Sequence, residues 1–166
     1  MILKPEPIAA ALEDLPEFAD FLRRCGEGAD ALVLWLGSLL DPESNRSQYL
    51  HIQGEGGDGK STLLESIRRV FGNEKVVSTS ARLFNDSHFG EDLEGARLLA
   101  FPDENNPSFF SSSKFKEFTG EHGSTINPKN RAPRYIRFTH KTLAFSNNDV
   151  QITTSKADAR RLISIR

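Results

Sequence analysis

Gly54-Glu55-Gly56-Gly57-Asp58-Gly59-Lys60-Ser61-Thr62 is the stretch whose reading decides the fold. It satisfies G-x-x-x-x-G-K-[ST] at every fixed position. Tyr49 to Gln53 before it reads as a buried strand, and Leu63 to Phe71 after it reads as a helix. A phosphate chain needs several donors converging on its oxygens. Backbone N–H groups converge only where the loop curls tightly and no Cβ blocks the approach, which is the work of Gly54, Gly56, Gly57 and Gly59. A helix starting near Gly59 aims its unsatisfied N–H groups and positive dipole end at the same place. In this context Lys60 reaches the outer phosphates, Ser61 is a ligand for Mg²⁺, and the loop from Gly54 to Thr62 wraps a nucleoside triphosphate.

Working outward, Asp14-Leu15-Pro16-Glu17 carries helix-start signals, with Asp14 as the expected cap. Leu15, Phe18, Phe21 and Leu22 then fall on one helical face, and Gly26 and Gly28 stop that helix. Ala31 to Leu40 is apolar nearly all round and predicts a buried helix with Trp35 in the core. Asp41-Pro42 ends it, and a polar loop to Ser47 leads into the strand before the glycines. Downstream, Gly72-Asn73 closes the loop helix, and Lys75 to Thr79 predicts a short strand. Leu83 to Gly90 has no clear period, and its His88 is read as a structural polar residue.

Arg97 to Pro102 predicts a further buried strand that delivers Asp103-Glu104 to its carboxyl end, where open α/β sheets bind ligands. Two acids there divide the labour: Asp103 holds Mg²⁺ and Glu104 polarises an attacking water. After the helix Lys114 to Phe118 and Thr119-Gly120, the window from His122 to Asn148 has no acidic residue but carries Lys129, Arg131, Arg134, Arg137 and Lys141. Residues 125–141 predict a β-hairpin with Asn127-Pro128-Lys129-Asn130 near its tip. A basic tip touching the phosphates of a nucleic-acid strand is one reading, and a solvated ribbon is the other. Thr142 to Ser146 predicts a strand ending in Asn147-Asn148, and Arg160-Arg161 precedes a last apolar strand from Leu162 to Arg166.

At 166 residues, with 37% hydrophobic and 27% charged residues, one soluble globular domain is expected. A net charge of −2 means that any nucleic-acid contact is local rather than global. The single cysteine, Cys25, forbids an intrachain disulfide and fits a reducing, cytoplasmic compartment. It is read as a small, half-buried apolar residue rather than a nucleophile. No membrane span, signal peptide or Cys/His metal cluster is legible.

The order of these segments resembles superfamily 3 helicases, in particular the phage and plasmid primase-helicase branch. The resemblance rests on the glycine loop, Leu93-Glu94-Gly95-Ala96-Arg97-Leu98-Leu99, Lys116-Glu117-Phe118-Thr119-Gly120 and Leu143-Ala144-Phe145-Ser146-Asn147, and covers about residues 30–166. It implies an α/β fold of the P-loop NTPase class, with an AAA+-like parallel-sheet core at 46–166 behind a helical segment at 1–45. It further implies Mg²⁺-dependent ATP hydrolysis coupled to movement on single-stranded DNA, and a hexameric ring in a longer replication protein. In such a ring Asn147 senses the γ-phosphate, Arg160 or Arg161 reaches a neighbour's ATP, and Lys129, with Arg131 and Arg134 nearby, meets DNA. Members often carry Asn where Asp58 stands, so this acid is expected to turn away from the phosphates. The connection Glu121 to Ser124 is longer than usual. The chain stops in its last strand, which leads us to expect a longer native protein. Two rivals remain: a small-molecule kinase of the P-loop class, and a nucleotide-dependent DNA clamp without useful turnover.

Overall fold

Five short apolar segments pair side by side into one parallel sheet in a computed structural model that describes residues 15–41, 43, 47–120, 123–147 and 159–166. The strands are β1 (Tyr49–Gln53), β2 (Val76–Ser78), β3 (Leu98–Phe101), β6 (Lys141–Ser146) and β7 (Leu162–Ile165), in the spatial order β2-β3-β6-β1-β7. A separate two-stranded antiparallel sheet joins β4 (Gly123–Ile126) to β5 (Arg134–Arg137). Every pair in the large sheet is parallel, with β1 between β6 (Ile52 beside Phe145) and β7 (Ile52 beside Ile165). Both faces of such a sheet must be covered, which explains why β3 and β6 are buried along their whole length.

The alternation of side chains sorts the core into two halves. On one face Leu50, Ile52, Leu98, Leu143, Phe145 and Ile165 meet three helices. These are α1 (Pro16–Arg24), α2 (Ala29–Ser38) and α3 (Lys60–Phe71). On the other face Tyr49, Leu99, Phe101 and Ala144 meet an aromatic layer from α4 (Ala81–Phe84), α5 (Pro107–Phe110), α6 (Ser113–Phe118) and the hairpin. Phe84 is its hub, fully buried, with ring centroids 5.0–5.5 Å from Phe89, Phe101, Phe109 and Phe118. The stretch around Phe84 had no legible period because its helix is a single turn, capped by Ser80.

Three local expectations are corrected. Helix α2 buries only Leu32 and Trp35, with Leu39 just beyond, while Leu34 and Leu40 are 58% and 70% exposed. The sheet accepts one stripe of the helix, so an all-round apolar sequence leaves its back uncovered. The hairpin is shorter than residues 125–141. After Arg137 the buried Phe138 and His140 turn the chain inward, and Lys141 pairs with Leu98 as the first residue of β6. Lys141 therefore belongs to the sheet and not to a basic ribbon. The N-cap of α1 is Leu15 without a side-chain cap; Asp14, the polar loop residues Pro42 and Ser44 to Arg46, His122 and Asn148 lie outside the described residues.

Candidate functional site

The order β3-β6-β1 puts three strand ends next to one another, and each carries a residue type singled out above. Hydrogen bonds extend the pairing past the strands: Gly54 N–H donates to Ser146 O at 3.2 Å, and Glu104 N–H donates to Phe145 O at 2.8 Å. The glycine loop, Asn147 and the Asp103-Glu104 pair therefore share one rim. Asn147 Nδ2 lies 3.4 Å from Asp103 Oδ1, and Asn105 joins both, donating to Asp103 Oδ1 at 2.6 Å and accepting from Asn147 N–H at 3.1 Å. Glu104 is buried, and its Oε1 accepts from Asn106 N–H at 2.9 Å.

The loop has the form a phosphate needs. Gly57 and Gly59 take φ of +88° and +99°, in the left-handed region where a side chain is strained. Gly59 is the N-cap of α3 and offers no side-chain cap, and the first N–H of that helix, on Lys60, instead reaches Asp58 Oδ1 at 3.3 Å. A Cβ on Gly56 or Gly57 would meet nothing within 4 Å, so the crown of the loop faces open space. Lys60 is buried, with its ammonium turned into the loop, donating to Gly54 O at 2.7 Å, Glu55 O at 3.0 Å and Asp58 Oδ2 at 2.7 Å. Asp58 thus points into the loop, against the expectation that it turns away; the buried ammonium attracts the nearest carboxylate. These groups fit a triphosphate. The oxygen donors available for a divalent ion, the Ser61 hydroxyl and the Asp103 carboxylate, are of the hard type that Mg²⁺ prefers. No cluster of three or more His, Cys, Asp or Glu side chains suited to a metal occurs among the described residues.

Beside the loop lies a recess of about 750 Å³, walled by Leu15, by Phe18, Phe21 and Arg24 of α1, and by Gly57, Gly59 and Thr62. Phe18 and Phe21 stack at 6.4 Å and 17°, and Leu15 remains 55% exposed. A Cβ on Gly59 would stand 3.1 Å from the Phe21 ring. Periodicity placed Leu15, Phe18 and Phe21 on one helical face and gave them no part in the site. Which part of that face looks onto the loop is set by the fold. Cys25, at the end of α1, is half-buried, and burial raises its thiol pKa, as a structural cysteine requires.

The remaining candidates lie elsewhere. Tyr49 N–H donates to Arg161 O at 2.8 Å, so Arg160 and Arg161 sit at the amino end of the sheet. At a rise of about 3.3 Å per residue, β1 separates them from their own glycine loop by roughly 16 Å. Arg161 Nη1 contacts Lys116 O at 3.4 Å, and Arg160 is exposed. The hairpin also lies towards that end, just before β6. Lys129 is exposed at its tip, next to Asn130 with φ of +61°. Arg131 pairs with Glu91 at 2.8 Å, Arg134 with Glu94 at 2.7 Å and Arg137 with Glu43 at 2.7 Å. The charge of the basic window is thus met by acids of other segments. His88 binds Asn127 O at 2.8 Å and props the hairpin, the structural role expected of it.

A family of unknown function, DUF5906, matches residues 52–161. Among solved structures, the apo NrS-1 C-terminal region (305-718) matches with a TM-score of 0.72 at 16% identity, covering 88% of this chain and 38% of that one. A second form of the same region gives 0.70 at 17% identity, with 88% and 36% covered. A JCV helicase structure with a bound acetamide compound gives 0.54 at 13% identity, with 88% and 43% covered. The chain thus spans about two fifths of the length of these structures. They share the α/β fold with its parallel sheet, and no helix among the described residues is long and apolar enough to cross a membrane.

Proposed function

Because this chain belongs to DUF5906, a family defined without a function, we propose from its geometry that it is an ATP-hydrolysing motor domain that acts on single-stranded DNA. The observation that carries the reading is the meeting of the glycine loop, Asn147 and Asp103-Glu104 on one rim of three adjacent parallel strands. The fold it shares with a JCV helicase and the NrS-1 C-terminal region supports the motor class.

In this reading the loop from Gly54 to Thr62 wraps the phosphates and Lys60 neutralises the outer ones. The nucleoside lies in the recess against Phe18 and Phe21. Mg²⁺, held by Ser61 and Asp103, supplies charge neutralisation at the phosphates. Glu104 accepts a proton from the attacking water, and Asn147 donates to the oxygen on which charge grows. Arg160 and Arg161 stand too far from their own loop to take part, so they serve a neighbouring copy in a ring, with six copies the expected number. Lys129, Arg131 and Arg134 contact DNA phosphates. The pairs with Glu91 and Glu94 lie at the surface, where solvent and salt weaken them, so the arginines are readily transferred to a phosphate.

Glu104→Gln tests the assignment. Affinity for Mg-ATP, measured by calorimetry, is expected to stay within about threefold, while phosphate release falls by about 10²–10⁴. Unchanged turnover would remove Glu104 from the chemistry. A phosphorylated acceptor in place of free phosphate would move the protein to the kinase class.

A further inference from the structure

Asp58 occupies an unusual position for an acid. Its two carboxylate oxygens are both engaged inside the glycine loop: Oδ2 pairs with Lys60 Nζ at 2.7 Å and Oδ1 accepts from Lys60 N–H at 3.3 Å. A side-chain ammonium and the first backbone N–H of α3 are the donors that such a loop offers to a phosphate. The carboxylate lies close over Gly54, in space that a Cβ at that position would occupy. The pair is also sheltered, with the Lys60 side chain 8% and the Asp58 side chain 32% exposed, so solvent screens it weakly.

We propose that Asp58 is a resident anion of the loop, a built-in competitor that holds the place and the cation of a nucleotide phosphate and must swing out before nucleotide binds. The inference rests on the reading of Gly54 to Thr62 as a phosphate site. A carboxylate and a phosphate on one ammonium repel each other, and the crown at Gly56 and Gly57 leaves the carboxylate room to leave. The acid weakens the binding of every phosphate ligand, and weakens most those whose contacts are confined to the loop. It also keeps the buried ammonium neutralised while the site is empty, so the loop need not recruit stray anions. The opposite role, a tether that preorganises the loop, predicts the opposite sign on mutation.

The test is the affinity of the purified chain for Mg-ADP and for inorganic tripolyphosphate, in wild type, Asp58→Asn and Asp58→Ala. Both variants are expected to bind both probes about tenfold more tightly. The gain should be at least as large for tripolyphosphate, which has no nucleoside to anchor it. Asp58→Ala guards against an amide that merely replaces one hydrogen bond with another, and circular dichroism confirms that each variant is folded. Unchanged or weaker binding by both folded variants overturns the resident anion and leaves the phosphate site standing. Absence of binding by wild type and both variants at millimolar probe overturns the phosphate site as well.

Discussion

Asn147 Nδ2 and Asp103 Oδ1 stand 3.4 Å apart across two neighbouring strands, with Asn105 bridging them. The amide that follows β6 and the acid that follows β3 are thus one polar unit, on the same rim as the loop that follows β1. Loss of a single donor to a developing negative charge costs about 10²–10³ in turnover. Asn147→Ala should lose that much in phosphate release while nucleotide affinity, followed by calorimetry, changes by less than about threefold. An equal loss in affinity and turnover would make Asn147 a ground-state ligand instead.

The position of Arg160 and Arg161 at the far end of the sheet yields a mixing experiment. Lys60→Ala chains keep their arginines but lose their own site; Arg160→Ala/Arg161→Ala chains keep the site but lose the arginines. Each alone should be inactive, with a finger supplied in trans worth about 10³–10⁵ in rate. Mixed, they should recover activity, because one supplies what the other lacks. A mixture as inactive as its components would mean that the arginines do not act across an interface.

His51 lies in β1, buried against Phe110, with Nε2 3.0 Å from Ser146 Oγ. Burial, and secondarily the charge of Arg166, lowers its pKa from 6.5 to about 4. Between those values the unfolded chain holds the proton and the folded chain does not. Stability is therefore full above about pH 6.5 and is lost as pH falls towards 4, at up to about 1.4 kcal/mol per pH unit. Urea unfolding at pH 7, 6 and 5 should show that decline, and His51→Gln should flatten it. Parallel slopes for the two proteins would show that His51 titrates alike in both states.

Phe84 contacts four other phenylalanine rings from a position with no exposure. Phe84→Ala should cost about 3–5 kcal/mol by emptying the centre of the aromatic layer. In a chain of this size that is a fall of roughly 10 °C in Tm. Val70→Ala, at a side chain 72% exposed on α3, is the control and should move Tm little.

What the sequence made legible follows the range of the interactions involved. The glycine loop, its flanking strand and helix, the acids after β3 and the amide after β6 are each written within a few neighbouring residues, and all were placed correctly relative to their elements. The hub role of Phe84 was hidden because its partners come from β3, α5 and α6 and its own helix is too short for a period. The outlook of Phe18 and Phe21 onto the loop was hidden because periodicity names a face but not what that face meets. Asp58 was misread because its direction is decided by an ammonium two residues away whose own burial depends on the fold. The charge of the basic window was legible, but its compensation by Glu91, Glu94 and Glu43 was not, since those acids lie some 40 to 94 positions away in sequence.

The most direct measurement of the central claim is phosphate release from Mg-ATP over a range of protein concentrations, with and without single-stranded DNA. The account predicts a specific activity that rises with protein concentration and rises further with DNA, because the arginines of one copy must reach the glycine loop of the next. Flat activity, insensitive to both, would contradict it and would mark a monomeric phosphate-handling enzyme in place of a motor.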